Sequence, residues 1–308
     1  MAMIVDSGLA GLSTLIDTQL RVFPAHAAYL EKRFAGDSAE EMALADDIAA
    51  RICQIAGDDL ETYCRDYAWL SEIVLEEELF FRRNGRYRLT TFQEAYDQVY
   101  SQREYMSRYM NGLLMSQVWW RNHTAVMGFY RDAFLGGFKR DFSHLEVGPG
   151  HGLLLGMATR TPHCVKAEGW DISEASLANT QDSLRQIGAD ISRIDLKRVD
   201  IFDAPDVAFD AVVFSEVLEH LEQPLEAVRA LYQRVRPGGR IFINAPVNSP
   251  APDHLYLFSN PEQVVDMVQE GGFEIEQTLF APCTGATLDR ARRLGLTISV
   301  AVIGTKPE

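Results

Sequence analysis

Two histidines and a short series of acids carry the residue types that do proton chemistry in this chain of 308 residues. His220 closes the stretch FDAVVFSEVLEH and His254 lies in NSPAPDHLYLF. An imidazole titrates near neutral pH, so either is a candidate general base for a hydroxyl or a similar weak acid. Glu216, Glu219 and His220 read ExxEH, and with His254 they offer the oxygen and nitrogen donors that a metal site uses. Further upstream, LEVGPGHG sets Glu146 ahead of glycines at alternate positions, Gly148, Gly150 and Gly152. Glycines at a strand-to-helix turn let the backbone approach a ligand closely, and the N–H groups at the helix start can receive a phosphate, ribose or amino-acid group. A dinucleotide fingerprint of the form GxGxxG wants its third glycine at position 153, where Leu153 stands instead.

These residues need a scaffold that brings them to one edge. Residues 141–308 supply short apolar runs: HLEV, VKAEGWD, LKRVD, FDAVVFS, GRIFINA, FEIEQTLF and LTISVAVIG. Helical segments fall between most of them, for example from Ser173 and from Gln223. Strand–helix alternation predicts an α/β fold with a seven-stranded, mostly parallel, Rossmann-like sheet. Only a loop region is read between the last two strands, which suits an antiparallel hairpin at the sheet edge.

Residues 1–137 have a different grammar. AEEMALADDIAARICQIA sets Met42, Leu44, Ile48, Ile52 and Ile55 near one helical stripe, and LETYCRDYAWLSEIVLEEELF continues in the same manner. Asn84-Gly85 between two apolar-aromatic runs is a hairpin signal, so residues 1–95 are expected to form a helical, winged-helix-like N-terminal domain. Residues 96–140 are unusually aromatic, with Tyr96, Tyr100, Tyr105, Tyr109, Trp119, Trp120 and Tyr130 on two helices broken near Asn111-Gly112. Most of such a stripe is core. Because it leads into the glycine loop, Tyr105, Tyr109, Asn122 and His123 are candidates to roof a bound ligand.

Charge narrows the partners. The net charge is −15, with 15 basic and 20 acidic residues in 1–140 and 14 and 24 in the remainder. Neither half attracts DNA, RNA or an anionic membrane. The four cysteines, Cys53, Cys64, Cys164 and Cys283, are widely spaced with no CxxC pair, as expected of reduced thiols in a cytoplasmic protein. The first residues carry Asp6 and Asp17 and no basic cluster, a poor match to a secretory leader, and no apolar run is long enough to cross a bilayer.

Residues 141–308 resemble the class I S-adenosylmethionine-dependent methyltransferases. LEVGPGHG resembles their first motif, FDAVVFSEVLEHLEQP their fourth, and RVRPGGRIFINAP the turn and fifth strand after it. The resemblance implies S-adenosylmethionine as cofactor, with Gly148, Gly150 and the neighbouring backbone around its methionine portion, Glu146 orienting the loop or the cationic end, and Ser215 among the cofactor-binding residues. It implies Asp171 on the ribose hydroxyls with Ile172 against the adenine, and Asp200 on the adenine amine with Ile201 on the ring face. The EVLEH pattern also occurs in metal-independent relatives, so no metal is expected. Residues 85–90 resemble the dimerisation domain of small-molecule O-methyltransferases at Gly85, Tyr87, Leu89 and Thr90, which implies a homodimer.

Methyl transfer from a sulfonium is an in-line displacement in which positioning and desolvation do much of the work. The acceptor pocket is expected from residues 96–135, the 246–258 loop and APCTGATLDRARR, whose Arg290, Arg292 and Arg293 suit either an acidic substrate or a solvated helix face. Aromatic walls favour a small organic acceptor. His220, His254, Asn122 and Tyr109 are the candidate catalytic residues. Two other uses of the cofactor stay open: a cyclase in which the cofactor's own amine displaces methylthioadenosine, with Asn122 folding the chain, and a regulator that binds without turnover.

Overall fold

The computed structural model describes residues 8–308; Asp6 and the rest of the first seven positions lie outside the described residues. The chain divides into two compact units. One comprises the residues up to Gly128 with Ser249–Leu257 and Ala281–Thr297, the other Phe129–Asn248, Phe258–Phe280 and Ile298–Glu308.

The first unit is helical: α1 (Ala10–Val22), α2 (Ala27–Phe34), α3 (Ala39–Ala56), α4 (Leu60–Asn84), α5 (Phe92–Ala95), α6 (Arg103–Trp119) and α7 (Arg121–Phe129, whose last residue falls in the second unit). α3 starts at a reciprocal cap in which Ser38 and Glu41 satisfy each other's backbone amides. Its Leu44, Ile48, Ile52 and Ile55 are buried, as the 3.6-residue period requires.

Two expectations here are corrected, and the same dipeptide caused both. Asn84-Gly85 makes no hairpin. α4 runs through LFFRRN and stops at Gly85, whose left-handed φ of 67° caps it with an amide bond to the Phe81 carbonyl. Glycine past a helix end is as good a stop signal as it is a hairpin turn. No strand or wing forms among the described residues of this stretch. Nor does the chain break at Asn111-Gly112, because α6 continues through it to Trp119. Gly112 lies against α4, where a β-carbon would come within 2.8 Å of the Leu70 side chain. The glycine is there for close helix packing, and Asn111 donates to Asp66 at 2.9 Å beside it.

The second unit carries the sheet: β1 (Phe142–Val147), β2 (Cys164–Asp171), β3 (Ile194–Arg198), β4 (Phe209–Ser215), β5 (Val235–Val247), β6 (Glu274–Pro282) and β7 (Ile298–Thr305), in the order β3-β2-β1-β4-β5-β7-β6. β1 to β5 are parallel neighbours and β7 runs antiparallel to β5. The helices α8 (Leu153–Arg160), α9 (Glu174–Gln186), α10 (Pro224–Arg234) and α11 (Pro261–Glu270) connect the strands. β1, β4 and β7 are buried along nearly their whole length, as strands covered on both faces must be, while β6 at the edge is largely open.

The predicted strands thus form the predicted sheet, with one change at its end. β6 and β7 are neighbours at the sheet edge as expected, with β6 outermost, but their connection includes a short helix, Leu288–Leu294, rather than a loop alone.

Candidate functional site

The parallel direction of β1 to β4 puts the carboxyl ends of four strands along one edge, and the predicted cofactor residues fall there in a row. β1 ends at Val147, after which Gly148 and Gly150 take φ of 72° and 52°. A β-carbon at Gly148 would press on Val217 at 2.9 Å, whereas the space beside Gly150 is open for 4 Å. The loop is held from both sides. The Gly148 amide donates to the Trp170 carbonyl at 2.8 Å, and the Thr180 hydroxyl donates to the Gly150 carbonyl at 2.6 Å.

Glu146 is buried on β1 and receives the Leu155 amide from the first turn of α8. Burial holds its carboxyl well above the usual range, and its Oε2 has no hydrogen-bond partner within the protein. Asp171 ends β2. Its two oxygens accept from the Ser173 amide at 2.8 Å and the Ser176 hydroxyl at 2.7 Å, which fixes the carboxylate and leaves each oxygen a second lone pair. Ile172 beside it is 54% exposed. Asp200 caps the short helical turn Ile201–Asp203 through the Phe202 amide at 3.0 Å, with Ile201 half-buried.

Past β4 the backbone is strained. Ser215 accepts from Asn244 Nδ2 at 3.2 Å, and Glu216 follows with φ of 55°, a left-handed conformation that costs a side-chain-bearing residue about 1 kcal/mol or more. Asn244 on β5 holds Glu216 twice, donating Nδ2 to its carboxylate at 2.6 Å and accepting its amide at 2.8 Å. Desolvation pushes the Glu216 carboxyl up to about 7, against the lowering effect of the Asn244 bond. Neither feature is legible in the sequence, where Glu216 is one letter of EVLEH. His220 lies in the turn Leu218–His220, its Nε2 3.8 Å from Glu219 Oε1.

The remaining candidates belong to the helical unit. Asn122 is buried on α7. His123 packs on Trp120, faces Ser116 and Gln117 through Nδ1, and is pushed down to about 4 by burial, so it stays neutral. The Tyr109 hydroxyl donates to Asp253 at 2.7 Å, and burial with that nearby carboxylate keeps the phenol protonated. Tyr100 reaches the other Asp253 oxygen at 3.3 Å, and half-buried Tyr105 stacks on Tyr109.

His254, next in the chain, is buried with its Nδ1 2.6 Å from the Ser249 carbonyl. Asp253 was not anticipated, and only its place beside His254 hinted at it. Arg290, Arg292 and Arg293 are exposed on Leu288–Leu294.

A glycine turn at the carboxyl edge of a sheet in this order, with fixed acids at or just past the ends of β2 and β3, lies where open α/β sheets carry their ligands. Residues 145–241 match the family model described as a methyltransferase domain. The chain is 32% identical over 164 residues to the ubiquinone biosynthesis O-methyltransferase of Neisseria meningitidis serogroup A, covering 51% of this chain and 67% of that one. It is 29% identical over 134 residues to the enzyme of the same name from Pseudomonas entomophila, covering 43% and 56%. Among solved structures, the N-methyltransferase NodS from Bradyrhizobium japonicum in complex with S-adenosylhomocysteine aligns with a TM-score of 0.47 at 18% identity, over 60% of this chain and 88% of that one.

The chain belongs to the class I S-adenosylmethionine-dependent methyltransferases, and S-adenosylmethionine is its cofactor. The residues present fit that group, with open space beside Gly150 and a buried Glu146 oxygen that lacks a partner in the protein.

Proposed function

We propose that the enzyme methylates a hydroxyl oxygen on a small organic acceptor, with His254 as the general base. The observation that carries the assignment is the His254 contact with Ser249. A carbonyl only accepts, so Nδ1 bears the proton and Nε2 is left as the basic nitrogen. In the chain His254 follows Val247, the last residue of β5, by seven positions. Oxygen as the accepting atom is supported by the similarity to relatives that are named O-methyltransferases.

S-adenosylmethionine supplies an electrophilic methyl group. We assign Gly148, Gly150, Ser215 and Glu146 to its methionine portion, Asp171 and Ile172 to its ribose and adenine, and Asp200 and Ile201 to the adenine.

The test is a panel of catechols, hydroxybenzoates and simple alcohols with the purified protein, followed by mass spectrometry of the nucleoside product. S-adenosylhomocysteine formed only with an acceptor is expected, and His254→Gln should lower turnover about 100-fold or more. Methylthioadenosine formed from the cofactor alone would replace this reading with cyclisation. We also read the helical unit as the pairing element of a cytoplasmic homodimer, because Leu75 and Leu79, one turn apart on α4, are 58% and 47% exposed. Sedimentation equilibrium giving a monomer mass would overturn that.

A further inference from the structure

We infer that Tyr87 is a positioning residue for His254, holding the imidazole in the tautomer that leaves Nε2 basic. The inference rests on the general-base reading above. Tyr87 lies in the segment GRYRLT, in which Tyr87 and Leu89 are buried at alternate positions after the end of α4. The segment is fastened to that helix. Arg88 pairs with Glu77 at 2.8 Å, and the Tyr87 ring packs on Phe81 at 5.7 Å between centroids.

From this anchored position the Tyr87 hydroxyl accepts the Ser249 amide at 3.0 Å. Ser249 in turn presents its carbonyl to His254 Nδ1 at 2.6 Å. The Tyr87 ring also meets the imidazole edge-on, 5.8 Å apart at 63°. One tyrosine therefore governs both the acceptor that fixes the proton and the wall that fixes the ring plane.

A second tie holds the other side of the histidine. Asp253 precedes His254 and accepts from Tyr109 and Tyr100, which ties the residue before the histidine to two tyrosines. An imidazole held by a carbonyl at one nitrogen is oriented in the manner of a catalytic histidine whose second partner sets its tautomer. If the carbonyl drifts, the proton distributes between the two nitrogens, and the fraction with a basic Nε2 falls.

The experiment uses the full chain labelled with 15N-histidine, with no acceptor added, and reads the ring nitrogens by long-range 1H–15N spectra. His254 should show the Nδ1–H form in the unaltered protein. Tyr87→Phe keeps the ring and removes the hydroxyl, and it should give a mixture of tautomers. With the best acceptor of the panel it should also lower kcat about 5- to 10-fold, with KM for S-adenosylmethionine unchanged. An unmoved tautomer together with an unmoved kcat overturns the positioning role.

Should Tyr87→Phe fail to fold, Arg88→Gln loosens the same segment at Glu77 and is read by the same spectrum. An unchanged tautomer there has the same adverse meaning. Failure of the underlying reading looks different. His254→Gln with full turnover defeats the base assignment, whatever the Tyr87 variants do.

Discussion

In the proposed assignment, the Asp171 carboxylate serves structure and ligand together. Its oxygens close a turn at Ser173 and hold the Ser176 hydroxyl, so the group is oriented before any cofactor arrives. Preorganisation of this kind removes an ordering cost from binding. Asp171→Asn keeps an acceptor for the Ser173 amide and loses the charge. It should weaken S-adenosylhomocysteine binding about 10- to 100-fold by calorimetry, since hydrogen bonds to a charged group contribute about 1.5–3 kcal/mol. Unchanged affinity would remove Asp171 from the site. The acid at a strand end was visible in the sequence because its position repeats a known device. The Glu216 conformation was not, because a left-handed backbone at that point depends on Asn244 from another strand.

At the scale of elements, the strand pattern was legible almost throughout. Alternation of short apolar runs with helices is a local signal, and FDAVVFS matches β4 residue for residue. The helical half was harder for a reason its two Asn-Gly pairs make plain. One ends a helix and the other is packed inside one, and what differs is the surface across from them, which local sequence does not contain. The placing of β7 inside the sheet is likewise a matter of pairing rather than propensity. The packing role of Gly112 has a measurable consequence. Gly112→Val must displace Leu70 or part α6 from α4, so a loss of about 1–3 kcal/mol is expected in urea unfolding. A loss within experimental error would show that the two helices are free to separate there.

For the whole molecule, pH dependence follows from which buried groups titrate. His26, His123 and His151 are each pushed down to about 4 by burial, and His144 to about 3. The unfolded chain binds those protons near pH 6.5 and the folded chain does not, so stability falls as pH drops from about 6.5 toward 4. Glu216, raised to about 7, has the opposite sign: the folded state holds its proton more tightly, and that contribution is lost as pH rises from about 4.5 to 7. Glu146, also held above its usual range by burial, acts in the same direction as Glu216; the four histidines outweigh these two acids, and the net expectation is acid lability. Thermal unfolding should show Tm falling steadily from pH 6.5 to 4.5. A flat profile would mean that the histidines reach solvent.

The helical unit is completed by residues that come late in the chain. Tyr109 and Asp253 are 144 positions apart, Arg82 and Leu294 212, and Tyr29 and Thr284 255. During synthesis from the N-terminus at about 5–20 residues per second, the first seven helices emerge on the order of ten seconds before the segments that finish their packing. Through that interval Tyr29, Tyr87 and Tyr109 stand without their late partners Thr284, Ser249 and Asp253. The last partners of the N-terminal helices therefore arrive only after most of the sheet's chain has been made.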